Sequence, residues 1–222
     1  MNEQEIAAQL ARPHGERAAE VGEKLAASNQ TMIRRAMDAL ALIPGDQVLE
    51  IGMAAGRHVD ELLRSAQRGY AKSIHYTGLD ISEDMVQEAQ RINTSWVADG
   101  QAEFALGSSD HLPFIDRKFT KILSVNTLYF WNPLTAHLQE IVRILQPGGR
   151  LVLGFGSRHF MQQMPFTQYG FSMYQPEEMV AQLHHHGLEV VDVQHRKDVG
   201  DVEGYPGIKK DEVILTAVHP NQ

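Results

Sequence analysis

Val48-Leu49-Glu50-Ile51-Gly52-Met53-Ala54-Ala55-Gly56-Arg57-His58 is the stretch on which the reading of this chain turns. An apolar, β-branched run stops at a glycine loop and resumes as Val59-Asp60-Glu61-Leu62-Leu63, which predicts a buried strand, a tight turn and an amphipathic helix. A unit of this kind opens a nucleotide-binding α/β sheet. Ligands of such sheets lie beyond the carboxyl ends of the strands, against the loop backbone and the helix N-terminus.

The loop itself narrows the choice of ligand. A dinucleotide fingerprint requires G-x-G-x-x-G, and counting from Gly52 puts Ala54 in the second glycine position and Arg57 in the third. Glu50 stands at the strand end, where its charge repels a pyrophosphate and attracts a cation. The run Glu50-x-Gly52-x-Ala54-x-Gly56 resembles the glycine loop of class I S-adenosylmethionine (SAM)-dependent methyltransferases, usually acidic-x-Gly-x-Gly-x-Gly. SAM carries a cationic sulfonium and ammonium, together with a carboxylate for the helix N-terminus to hold. The resemblance therefore places Glu50, Gly52, Ala54 and Gly56 around the methionine end of SAM. Ala54 departs from the pattern. Alanine lacks glycine's freedom at positive φ, so either this position lies outside that region or the loop is displaced there.

At 222 residues and 43% hydrophobic, the chain suits one well-buried domain. A net charge of -8 and a pI near 5.7 disfavour a nucleic-acid partner, which usually meets a basic face, and leave a small-molecule substrate as the simpler reading. The absence of cysteine excludes disulfides, thiolate metal sites and cysteine nucleophiles. The acidic start Met1-Asn2-Glu3-Gln4-Glu5 is unlike a signal peptide, and no apolar run approaches membrane-spanning length, so the expected location is cytoplasmic. The oligomeric state is not legible.

Residues 4–42 read as two or three helices, broken near Pro13-His14-Gly15 and again at Ser28-Asn29, with Asn29 capping a helix through Leu40. Ile33, Ala36, Met37, Leu40 and Ala41 form one apolar stripe suited to packing on the sheet. Arg12–Glu16 reads as a surface turn. In the resembling superfamily, N-terminal helices often cover the ligand pocket, which is the alternative for this segment.

Ser73–Asp80 reads as the second strand, and Asp80 stands 24 positions beyond Gly56, where a strand-end carboxylate can accept both hydroxyls of an adenosine ribose. The run Leu79-Asp80-Ile81-Ser82-x-x-Met85-Val86 resembles the second motif of the methyltransferases, which implies that Ile81 and Met85 lie beside adenine and ribose. A solvated helix cap is the competing role for Asp80. After a third strand, Ala102–Leu106, comes Gly107-Ser108-Ser109-Asp110-His111-Leu112-Pro113-Phe114. In the family an aspartate stands at position 108 and accepts from the adenine amino group. Ser108 can accept only without charge assistance, with Ser109 beside it and Asp110 as a substitute.

The fourth strand, Phe119–Val125, runs into Asn126-Thr127-Leu128-Tyr129-Phe130-Trp131, over the switch point of this topology. Asn126 is assigned to the cofactor pocket and Tyr129 to the substrate pocket, with core packing expected for at least one of Phe130 and Trp131. A helix follows Asn132-Pro133 through Leu145. The segment Arg143-Ile144-Leu145-x-Pro147-Gly148-Gly149-x-Leu151 resembles the methyltransferase turn into the fifth strand.

Residues 157–174 carry many large apolar side chains without period, which predicts a substrate lid or wall holding Phe160, Tyr169 and Tyr174, or else a satellite core. His184-His185-His186 is read as a solvated helix end, because successive helical side chains point about 100° apart and do not converge on one ion; no metal is assigned. Leu188–His195 and Val213–Val218 have no helix between them and should pair antiparallel. The formal Tyr205-x-x-x-Lys209 of short-chain dehydrogenases falls on Pro206-Gly207, a poor helix.

The fold expected is a doubly wound, mostly parallel seven-stranded α/β sheet with an antiparallel final strand, a Rossmann-like methyltransferase fold. Residues 1–45 form a helical cap and residues 46–222 the SAM-binding domain. The resemblance implies transfer of a methyl group from SAM to a small-molecule acceptor by in-line displacement, with Tyr129, His159 and His14 as candidate bases by position alone. The alternatives are a non-catalytic SAM-binding regulator or partner subunit and, lacking both the fingerprint and a catalytic pair, an NAD-dependent oxidoreductase.

Overall fold

A computed structural model describes residues 1–67, 74–202 and 204–221. Seven strands make one sheet: β1 (Gln47–Ile51), β2 (His75–Asp80), β3 (Ala102–Leu106), β4 (Phe119–Val125), β5 (Leu145–Phe155), β6 (Glu189–Arg196) and β9 (Glu212–Val218). Their order is β3-β2-β1-β4-β5-β9-β6. The first five run parallel, while β9 lies antiparallel to both β5 and β6. This is the expected topology, reversed last strand included. A small ribbon, β7 (Asp201–Val202) with β8 (Tyr205–Lys209), fills the β6–β9 connection, so Tyr205 and Lys209 lie on a strand. Ser73, the predicted start of the second strand, is outside the described residues.

The alternation of the strands explains the two buried layers. Leu49, Ile122 and Leu151 face one side, packed with Leu138 and Ile141 of α6 (Leu134–Ile144) and Met179 and Leu183 of α8 (Pro176–His185). Their neighbours Val48, Leu123 and Val152 face the other side, with Leu62 and Leu63 of α3 (Val59–Gln67) and Val86 and Ala89 of α4 (Glu83–Ile92). The short α5 (Thr94–Ala98) adds Trp96 to this second layer.

The N-terminal segment joins the second layer. After α1 (Glu3–Ala11) and a 3-10 turn at Gly15–Arg17, α2 (Ala18–Ala39) runs unbroken and buries Met32 and Ala36 against the sheet, followed by Leu40 just past its end. The predicted break at Ser28-Asn29 is therefore corrected. Ser28 returns its hydroxyl to the Leu25 carbonyl, and Asn29 is not a cap: its amide oxygen accepts from Asn126 Nδ2 at 3.0 Å. Of the predicted stripe, Ala36 and Leu40 are buried, Ile33 and Met37 half-buried, and Ala41 exposed beyond the helix end.

Residues 157–174 comprise α7 (Arg158–Met161), a 3-10 turn at Pro165–Gln168 and irregular chain. Phe160, Phe166, Phe171, Met173 and Tyr174 pack onto the first layer, with Phe130 and Phe171 edge to face at 4.7 Å. The satellite-core alternative describes this segment.

A cleft at the carboxyl ends of β1, β2 and β4

Parallel order reverses between β1 and β4, and a cleft opens there, beyond the strand ends, where an open α/β sheet places its ligand. Its floor is the glycine loop. Gly52 N–H donates to the Leu79 carbonyl at 2.7 Å and Gly56 N–H to Met53 at 3.0 Å, which draws the loop tight against β2. Gly52 has φ +77°, and a Cβ there would stand 2.0 Å from Thr127 Cγ2, so the loop and the segment after β4 touch at this glycine.

Ala54 has φ +50°, inside the left-handed region. That settles the question its departure raised, since the loop keeps its shape with a residue that pays steric strain. Its N–H donates to Asp80 Oδ2 at 2.9 Å, which holds the strained residue in place.

Glu50 and Asp80 both line this cleft and both are buried, 2% and 7% exposed. Glu50 Oε2 accepts from the Tyr76 hydroxyl at 2.6 Å and lies 2.7 Å from His58 Nε2. Burial, reinforced by Glu50, pushes the Tyr76 phenol well up, so it stays a donor. Burial disfavours the His58 imidazolium, but the Glu50 carboxylate outweighs it and the net shift is upward. Asp80 accepts from Ser82 N–H at 2.9 Å as well as from Ala54, leaving further lone pairs for a ligand. Burial raises its carboxyl against the pull of these backbone donors.

The structure sorts the remaining sequence assignments. Ile81, Ser108, Ser109 and Asn126 line the cleft with Gly52, Ala54 and Gly56. Met85 does not: it is wholly buried behind the wall, in a small cluster with Ala18 and Ala55. Asp110 is exposed and is not a lining residue; the neighbouring Ser108 side chain helps to hold its carboxyl below the usual carboxylate range. Tyr129 is corrected both as base and as pocket residue. Its ring is buried, its hydroxyl accepts from Gly156 N–H at 2.6 Å and donates to Asn126 Oδ1 at 3.0 Å, and burial raises its pKa. It braces Asn126 from behind.

His159 is exposed outside the cleft, and His14 lines only a shallow surface depression beside Ser82. Neither side chain is part of the cleft lining. Phe160, Tyr169 and Tyr174 also lie outside the cleft lining, because the 157–174 segment turns its apolar side chains onto the core. Tyr169 is left 42% exposed.

Several lining residues escaped the sequence reading. Phe130 and Trp131 both reach the cleft, and Trp131 stacks on His137 at 5.6 Å between ring centroids. His137, in the first turn of α6, is buried, lies 2.7 Å from the Ser109 hydroxyl through Nδ1, and is held toward its neutral form by burial despite Asp110. Opposite, Leu10, Ala11, Leu25, Ala26, Asn29 and Ile33 form the wall given by α1 and α2. The N-terminal helices thus cover the cleft, with Pro13 of the turn between them in its lining.

Comparison with known proteins agrees with this geometry. The family model described as a methyltransferase domain matches residues 49–153, from β1 through most of β5. The chain is similar to the uncharacterized methyltransferase YdaC of Bacillus subtilis, 28% identical over 176 residues, covering 79% of this chain and 89% of that one. It is also similar to the O-methyltransferase rstn1 of Aspergillus nomiae, 23% identical across 80% of this chain and 78% of the other. Among solved structures, the complex between the Haloferax volcanii Trm112 methyltransferase activator and its methyltransferase contains a chain that matches with a TM-score of 0.75. That match has 20% identity and covers 92% of this chain and 95% of the other. Residues 49–153 thus form a methyltransferase domain, and over most of its length the chain is similar to methyltransferases. A methyltransferase domain fits the SAM assignment and not an NAD-dependent oxidoreductase. Among the described residues no helix is long and apolar enough to cross a membrane.

Proposed function

We propose that the chain methylates a small, partly apolar acceptor that enters beneath the N-terminal helices. The observation that carries this reading is the mixed lining of the cleft: two buried carboxylates, Glu50 and Asp80, share it with apolar side chains of α1 and α2, from Leu10 to Ile33, and with Phe130. In this reading Glu50 and the loop amides near Gly52 and Gly56 hold the methionine end of SAM, and Asp80 takes the ribose hydroxyls. Ile81, Ser108, Ser109, Trp131 and His137 surround the adenine. SAM, when bound, supplies a methyl group already made electrophilic by its sulfonium. The protein's part is to orient an acceptor atom in line and to exclude water. Asn29 and Asn126, joined at 3.0 Å and both in the cleft lining, are the polar groups assigned to orient that acceptor.

The test is formation of S-adenosylhomocysteine when the purified chain and SAM meet a fractionated pool of small hydroxylated and carboxylated metabolites. Turnover confined to apolar-bodied acceptors supports the proposal, and turnover only with protein or nucleic acid refutes it. A second reading, a subunit dependent on a protein activator, is favoured by the likeness to a chain solved with the Trm112 activator. Turnover by the isolated chain rules it out.

A further inference from the structure

Glu50 is the carboxylate on which the cofactor site depends, and one of its two donors is a titratable ring. His58 Nε2 and the Tyr76 hydroxyl converge on the same oxygen, Glu50 Oε2, at 2.7 and 2.6 Å. The His58 side chain is 12% exposed and that of Glu50 2%, and both residues line the cleft. The other charged groups nearby do not neutralise the carboxylate. Glu61, on the next turn of α3, adds negative charge toward the ring, and Asp80 adds it from β2. Arg57 is turned away, toward Glu23 of α2 and Glu88 of α4 at 3.3 and 3.7 Å.

We propose that His58 is a positioning residue that couples one proton to SAM binding: its imidazolium occupies Glu50 in the open cleft, and the arriving cofactor cation displaces that proton to solvent. The proposal rests on the SAM reading of the site. Two positive groups share one buried carboxylate poorly, because charge interactions in a desolvated site are screened far less than in water. The direction of the His58 shift agrees: burial works against the imidazolium, and the Glu50 carboxylate, aided by Glu61, holds the proton above the ordinary histidine range.

Two consequences follow by linkage. SAM affinity rises with pH through the window above about 6.5 in which His58 is still protonated in the free protein, by at most about tenfold per pH unit for one coupled proton. S-adenosylhomocysteine lacks the sulfonium charge and displaces less of the proton, so the preference for donor over spent product weakens as pH falls.

Isothermal titration of SAM into the full chain, in two buffers of different ionisation enthalpy, reads the released proton directly. His58→Gln should lower that release, and wild type should release more with SAM than with S-adenosylhomocysteine. The ligand's own amine titrates near pH 7.7–8.0 against both proteins, so it drops out of their difference. Equal proton release by wild type and His58→Gln overturns the proposal. The wild-type ring resonances of His58, titrated with and without SAM, provide a measurement that needs no variant: the pKa should fall on saturation, and an unmoved pKa overturns the coupling. Absence of SAM binding heat at every pH would overturn the cofactor site itself, and the coupling with it.

Discussion

Gly52→Ala probes the contact that ties the cofactor loop to the segment after β4. Two costs are added at one atom. The residue sits at φ +77°, where an L side chain costs about 1–2 kcal/mol. The new Cβ would also stand 2.0 Å from Thr127 Cγ2, an overlap of the kind that costs about 1–3 kcal/mol when a packed region must yield. The expected loss is therefore about 2–5 kcal/mol, which a domain of ordinary stability survives. Thr127→Ser removes Cγ2 and keeps the hydroxyl that meets Ser124. In Gly52→Ala/Thr127→Ser the nearest remaining side-chain carbon is Thr127 Cβ at 3.1 Å, so only the backbone cost and a tight contact persist. Urea unfolding of wild type, both single variants and the double variant isolates the steric part as a coupling energy of about 1–3 kcal/mol. SAM affinity, followed by calorimetry, should fall in the single variant and recover in part in the double. A coupling energy within about 0.5 kcal/mol of zero would refute the reasoning, because it would mean that Gly52 and Thr127 do not press together.

Three further outcomes are expected. Ala54→Gly relieves a φ of +50° worth about 1–2 kcal/mol but enlarges the unfolded ensemble by about 0.5–1, so stability should hold or rise by roughly 1 kcal/mol; a loss beyond 1 kcal/mol in urea would contradict it. Tyr129→Phe leaves the buried Gly156 N–H without its 2.6 Å acceptor and should cost about 1–3 kcal/mol, while the pH–rate profile keeps its shape because the phenol is a brace for Asn126. Loss of a titrating limb from that profile would restore Tyr129 as a base. The folded-state pKa of His58 is raised, so its contribution to stability is complete below the unfolded value near 6.5 and is lost as pH rises through the folded value. Thermal unfolding of the ligand-free protein should therefore show a downward slope above pH 6.5 that His58→Gln lacks.

Most of the fold could be read directly because its signals are local. Each of β1 to β5 ends where an apolar run meets Gly, Asp or Asn, and the absence of a helical stretch between Leu188–His195 and Val213–Val218 implied the antiparallel β6–β9 pair. Glu50 and Asp80 were legible for the same reason, as charges at the ends of apolar runs. The misses are orientations. Ser28-Asn29 looks like a helix break, but Ser28 bonds back to its own helix and Asn29 is engaged by Asn126, 97 residues away, so tertiary contacts override the local preference. Whether the aromatic side chains of 157–174 turn inward to the core or outward to the cleft depends on how irregular chain lies on the sheet, and no period encodes that. His137 was overlooked because its significance lies in the face of α6 that meets Ser109 and Trp131. The histidines chosen instead, His14 and His159, had only nearness along the chain to recommend them.

The central claim is that Glu50 and Asp80 jointly hold a cationic donor, and calorimetry of SAM against wild type, Glu50→Gln and Asp80→Ala tests it most directly. Asp80 also anchors the amides of Ala54 and Ser82, so urea unfolding must accompany its variant to show that the protein titrated is folded. The account predicts micromolar-range or tighter SAM binding in wild type, weakened by about 1–3 kcal/mol in each folded variant, with no comparable binding of NAD. SAM affinity unchanged in both variants, or NAD binding more tightly than SAM, would contradict it.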